Sequence, residues 1–147
     1  MTRGTPYLNR NNYNDWKTPD NFYDELNKEF NFDFDPCPLN SKFNGLEVEW
    51  GKSNFVNPPY GKKLKTAFVK KAIEQSLKNK LSVLLLPVST STVLFHQYIK
   101  PNASDIRFVE GRLKFIGVDK DGNIKKYNKQ GAMHDSMLVI FKGNKNG

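Results

Sequence analysis

The chain has 147 residues, 37% hydrophobic and 13% aromatic, a size and composition that suit one domain around one lean core. Lys plus Arg number 23 against 15 for Asp plus Glu, and the net charge of +8 favours a polyanionic partner, although widely spread lysines also serve plain solubility. One cysteine, Cys37, excludes an internal disulfide and a multi-cysteine metal site, and no apolar run reaches membrane-span length or forms a signal-peptide core.

Residues 1–15 are polar and asparagine-rich (Asn9, Asn11, Asn12, Asn14) and read as a flexible arm. In Trp16-Lys17-Thr18-Pro19, Thr18 suits an N-cap and Pro19 a first helical position. Phe22, Tyr23, Leu26 and Phe30 then recur at helical spacing and predict a helix packed on a core. Phe32 to Pro38 alternates apolar and polar residues before two prolines, which predicts a first sheet strand ending in a loop. Asp35, at that strand's carboxyl end, either holds a ligand group or is a turn aspartate before proline. Cys37 has no neighbouring histidine or thiolate-stabilising motif, so it does not read as a nucleophile. Leu39 to Trp50 is loop-like.

Asn54-Phe55-Val56 reads as a strand and Leu64 to Leu77 as an amphipathic helix, so Asn57-Pro58-Pro59-Tyr60 lies on a strand-to-helix loop. Open α/β sheets bind ligands on such loops. Two prolines fix two φ angles and remove two donors, leaving a stiff loop. The Asn57 side-chain oxygen and the Pro58 carbonyl are two acceptors suited to a flat amino group, and Tyr60 can stack on the ring that carries it. The plainer alternative is a Pro-Pro turn capped by Tyr60. Lys62 and Lys63 adjoin the loop and can meet phosphates, whereas the helix's other lysines read as a solvated face.

Leu81 to Pro87 has the continuous apolar character of a central parallel strand. Val93 to Lys100 is a short helical stretch. A strand is predicted within Asp105 to Ile116, where Arg112 and Lys114 either track a phosphate backbone or are solvent-facing charges. Asp119-Lys120-Asp121-Gly122-Asn123 is a turn that lacks the later glutamate of a calcium loop. Lys125, Lys126 and Lys129 flank Tyr127, a pattern suited to nucleic acid. Met137 to Phe141 predicts a final antiparallel strand. His96 reads as a surface or core residue, His134 and Asp135 as structural rather than catalytic, and no metal site is predicted.

Asn57-Pro58-Pro59-Tyr60 resembles the catalytic motif of amino-group methyltransferases that use S-adenosylmethionine, a motif shared by enzymes acting on adenine in DNA or RNA and on protein glutamine. With Trp16-x-Thr18-Pro19, Asp35-Pro36-Cys37-Pro38 and Gly111-Arg112-Leu113-Lys114-Phe115 in the same order, the chain from Trp16 to Phe141 resembles the phage-type DNA N-6-adenine methyltransferase (Dam) family.

The resemblance implies a reduced Rossmann-like α/β fold, mostly parallel with an antiparallel last strand, over residues 16–142 and followed by a flexible tail, 143–147. It implies methyl transfer from S-adenosylmethionine to the amino group of a flipped-out adenine in duplex DNA, in the cytoplasm of a phage's bacterial host. Asn57, Pro58, Pro59 and Tyr60 would be catalytic. Trp16, Thr18, Pro19, Asp35, Pro36, Cys37 and Asn57 would meet the cofactor, with Leu46 or Trp50 either flanking its adenine or sitting in the core. Lys62, Lys63, Arg112, Lys114, Lys125 and Lys126 would meet DNA. Oligomeric state stays open, a homodimer being compatible. The chain departs from the family pattern in having no Gly-x-Gly loop, Ser89 in place of an arginine and Leu94 in place of a tryptophan. The alternatives are an RNA or protein-glutamine methyltransferase with the same motif, or a DNA-binding relative that lost turnover.

Overall fold

A computed structural model describes residues 16–39, 41–59, 61–118, 124–127 and 135–143. The arm (1–15), Tyr60, the 119–123 turn, Lys129, His134 and the tail beyond Gly143 lie outside the described residues. In chain order the elements are β1 (Trp16–Lys17), α1 (Asp20–Phe30), β2 (Ser53–Val56), α2 (Lys62–Ser76) and β3 (Leu81–Pro87). A π-helical stretch, Leu94–Ile99, then runs into α3 (Lys100–Asn102), followed by β4 (Asp105–Phe108), β5 (Ile116–Val118), β6 (Ile124–Tyr127) and β7 (Ser136–Phe141).

The larger sheet has the order β2-β3-β7-β4. β2 and β3 pair in parallel, with Val56 opposite Leu84, while β7 is antiparallel to both β3 and β4. So β2, β3 and β4 run one way, and the last strand is wedged between two of them in the opposite sense. The antiparallel last strand is as predicted, but the sheet is mixed rather than mostly parallel in its pairings. β7 separates β4 from β3 and makes both contacts antiparallel.

Alternation along the strands builds two cores. Val56, Leu84, Leu86, Met137, Val139 and Phe141 pack with Phe68, Val69 and Ala72 of α2. Phe55, Val83, Leu85, Leu138 and Ile140 pack with Leu26 of α1 on the other face. Strands buried on both faces need continuous apolar runs, as β3 and β7 have. Leu77, counted with the apolar side of α2, is 70% exposed because the helix ends at Ser76.

The strand predicted over Phe32 to Pro38 shrinks to one parallel bridge, Phe34 to Asn54. Pro36 and Pro38 cannot donate to a ladder. The Asp33 carboxylate fastens the segment instead, accepting from the Ser53 N–H at 3.1 Å. Trp50 belongs to the core: it is 3% exposed, its ring lies 6.4 Å from that of Phe68, and its indole donates to the Gly45 carbonyl at 2.8 Å. A side chain at Gly45 would collide with the Pro36 carbonyl, so this turn lies hard against the 35–38 loop.

The predicted strand around Gly111 to Phe115 is also revised. β4 stops at Phe108, Gly111 turns the chain at φ 74°, and strand structure resumes only at Ile116. There β5 joins an unpredicted second sheet, order β1-β5-β6, antiparallel throughout, in which Lys17 faces Ile116.

Two ion-pair groups tie segments across the surface. Arg107 of β4 reaches Glu29 of α1 through two bonds of 2.8 and 2.6 Å. Glu49 accepts from Lys78 at 2.8 Å and Lys80 at 2.9 Å, and these bonds lower its pKa from 4.5 to about 2. A carboxyl held below its unfolded value stabilises the fold above that value, and the contribution is lost as pH falls through the folded one. Glu49→Gln should therefore lose less stability than the wild type between pH 4.5 and 2, read as the shift of the urea midpoint. Equal shifts in both proteins would remove Glu49 from the acid response.

Candidate active site

The site is built around the carboxyl end of β2. Val56 is fully buried, and Asn57 and Pro58 emerge half-buried before Pro59 turns back into the protein. The loop re-enters helix at Gly61, whose φ of 117° and ψ of 133° lie where side chains are strained. Among the described residues beyond its chain neighbours, no atom lies within 4 Å of where a Cβ would stand, so the constraint there is the backbone and not crowding. The Gly61 carbonyl accepts the Lys65 N–H at 3.0 Å and starts α2.

Two distant segments close on Asn57. Its Nδ2 donates to Thr18 Oγ1 at 3.2 Å, across 39 positions of sequence. Its carbonyl oxygen accepts from the Cys37 thiol at 3.2 Å, across 20 positions. Thr18 and Cys37 are both buried, at 8% and 4% exposure. The Cys37 N–H in turn donates to Asp35 Oδ1 at 2.9 Å, so the exposed Asp35 carboxylate braces the turn that aims the thiol. Segments 16–19, 35–38 and 57–59 thus form one hydrogen-bonded unit.

Thr18 is not the N-cap that its sequence position suggests. α1 begins at Asp20 after Pro19, with no side-chain cap, and its first bond runs from the Tyr23 N–H to the Pro19 carbonyl at 3.0 Å. The β1–β5 pairing fixes the backbone just before Thr18, and the Pro19 ring restricts it just after.

Tyr23 is a further wall of this region. Its ring stands edge-on to Phe55 with centroids 5.1 Å apart. Burial first, then the negative charges of Asp35 and Asp24, push its phenol above the usual value. Helical spacing marked Tyr23 only as a core residue. Its polar tip was the available signal, but nothing local ties it to Asp35.

The basic residues predicted to meet DNA lie on neighbouring and other elements. Lys62 and Lys63 are exposed on the first turn of α2, directly after the loop, and form no ion pair among the described residues. Cations at a helix start oppose the helix dipole, and no acidic residue compensates in that turn. Lys114 is exposed, and Arg112 pairs with Asp135 at 3.3 Å. Lys125 and Lys126 belong to β6 of the small sheet. Among the described residues, no three His, Cys, Asp or Glu side chains converge as a metal-binding group, and no helix is long and apolar enough to cross a membrane.

Comparison with known proteins adds two findings. A family model described as DNA N-6-adenine-methyltransferase (Dam) matches residues 7–146. The chain is 39% identical over 92 residues to a DNA N-6-adenine-methyltransferase of Escherichia phage T1. That match covers 61% of this chain but spans only 35% of the length of the phage protein.

The Gly61 geometry sets a stability test. Gly61→Ala should destabilise the protein by about 1–3 kcal/mol, measured by urea unfolding, because alanine is strained at this φ. An unchanged unfolding midpoint would show that the loop tolerates a different exit into α2.

Proposed function

The chain belongs to the DNA N-6-adenine-methyltransferase (Dam) family, and on that premise we propose that it transfers a methyl group from S-adenosylmethionine to the exocyclic amino group of adenine in DNA. The observation that carries this reading is the clamped Asn57, held through amide and carbonyl at the mouth of a stiff Asn-Pro-Pro loop. The finer fold reading is a reduced Rossmann-like methyltransferase fold, supported by the reversed β7 between β3 and β4.

The donor set fits S-adenosylmethionine. α1 starts without a side-chain cap, and a helix start favours a carboxylate. The exposed Asp35 carboxylate suits an ammonium group, Pro19 and Pro36 belong to the same loops, and Thr18 and Cys37 are buried beside them in sequence. When bound, S-adenosylmethionine supplies an electrophilic methyl group on a sulfonium that departs as a neutral thioether.

The chain's own residues do the positioning. The adenine leaves the duplex, which costs a few kcal/mol, and stacking on Tyr60 returns about 1–3 kcal/mol. Asn57 Oδ1 and the Pro58 carbonyl accept the two amino hydrogens. An amide oxygen has two lone pairs, so it can take a substrate hydrogen beside any protein donor. Holding both hydrogens localises the nitrogen lone pair, otherwise spread into the ring, and aims it. Positioning of this kind can contribute up to about 7–11 kcal/mol. The methylated nitrogen is strongly acidic and loses its proton to water, so no side-chain base and no metal are required.

Lys62 and Lys63 flank the loop and meet the phosphates beside the flipped base, with Arg112, Lys114, Lys125 and Lys126 following the backbone farther away. The phage origin of the relative supports a place of action in the cytoplasm of a bacterial host.

Tritiated methyl transfer from S-adenosylmethionine to unmethylated duplex DNA tests the proposal. Label should appear on adenine N6 and fall by about 100-fold or more in Asn57→Ala, the scale of loss for a misplaced reacting group. Label in RNA or protein instead would move the substrate, and equal activity in the variant would displace Asn57 from the reaction.

A further inference from the structure

We propose that the outer face of α2 is a DNA track, on which Lys70 meets a phosphate of the duplex beyond the target base and extends the contacts that begin at Lys62 and Lys63. This rests on the DNA-methyltransferase reading for its partner and deepens it, because it says on which side of the sheet the duplex lies. Charge is unevenly placed along the chain. Residues 50–104 hold nine lysines but only one of the 15 acidic residues, Glu74. Glu74 is itself taken up by Lys71 at 3.6 Å and Lys78 at 3.9 Å. α1 packs on the opposite face of the sheet from α2 and exposes Asp20, Asp24, Glu25 and Glu29 against Lys28. The α2 face therefore attracts a polyanion, and the α1 face repels it.

Helical geometry aligns the track. α2 buries Phe68, Val69, Ala72 and Gln75. Lys63 and Lys70 are close to two full turns apart, so both lie opposite that buried side, about 10 Å from each other along the axis. Both are exposed, and among the described residues neither joins an ion pair. Lys63 stands in the first turn after the Asn-Pro-Pro loop, and Lys70 leads away from it.

Lys70 is also held in place. Its ammonium lies 4.8 Å from the centre of the Tyr98 ring, in the π-helical stretch. An aromatic face attracts a cation without cancelling its charge, as a carboxylate would. Lys71, next in the chain, is paired with Glu74, whereas Lys70 is a positioned cation left available to an anion. Its role differs from the solvated face that the helix pattern alone suggests.

The test is the Kd for a duplex oligonucleotide across a salt series, by fluorescence anisotropy. It compares the wild type, Lys70→Gln, Lys70→Arg, the double variant Lys63→Gln with Lys70→Gln, and Lys28→Gln. Each phosphate contact adds about 0.9 to the slope of log affinity against log salt on duplex DNA. Lys70→Gln should flatten the slope by about 1 and the double variant by about 2, while Lys70→Arg keeps it. Lys28→Gln removes the same formal charge from α1 and should leave the slope unchanged, which separates a contact from net charge. A Lys70→Gln slope equal to the wild type's, the same flattening in Lys28→Gln, or a wild type that binds no duplex DNA would each overturn the proposal. The expected slopes in a protein that transfers no methyl group to adenine would sink the methyltransferase reading alone and leave this surface standing.

Discussion

Two hydrogen bonds at Asn57, one donated by its amide and one accepted by its carbonyl, are the constraint from which the site follows. Neither is local. Thr18 arrives because β1 pairs with β5, and Cys37 arrives because Phe34 bridges to Asn54 and Asp35 braces the turn beyond. Each bond is worth only about 0.5–1.5 kcal/mol net, so neither could hold a floppy loop by itself. They act on a backbone already stiffened by Pro58 and Pro59, with the buried Val56 before it and Gly61 after it. The prolines remove freedom, and the bonds select among the few conformers that remain.

This arrangement also joins the site to the small sheet. β5 holds the segment that carries Thr18 and pairs with β6, which carries Lys125 and Lys126. The basic residues nearest the loop, Lys62 and Lys63, stand where the helix dipole opposes them. Such a placement costs a little stability in the absence of an anion and becomes favourable beside a phosphate. The proposed DNA surface and the proposed reacting centre therefore share backbone elements.

What was readable from the sequence divides along physical lines. β2, β3, β7, α1 and α2 were legible because burial on one or both faces writes a period into the residues, as in Leu81 to Pro87. The candidate site was legible as separate motifs, but the contacts between them were not. Thr18 before Pro19 has the local chemistry of an N-cap, yet tertiary structure turns its hydroxyl to Asn57. Phe32 to Pro38 alternates as a strand does, yet its prolines limit pairing to a single bridge. Gly111 announced a break that was read through as strand. The β1–β5 pairing joins two very short strands from distant parts of the chain, and so few residues carry no periodic signal.

The most direct test of the central claim is a crystal structure of the protein with duplex DNA and a non-transferring analogue of S-adenosylmethionine. The account predicts an extrahelical adenine whose N6 lies about 2.7–3.2 Å from both Asn57 Oδ1 and the Pro58 carbonyl, with Nδ2 still on Thr18. An adenine bound elsewhere, or an Asn57 amide released from Thr18 in that complex, would contradict it.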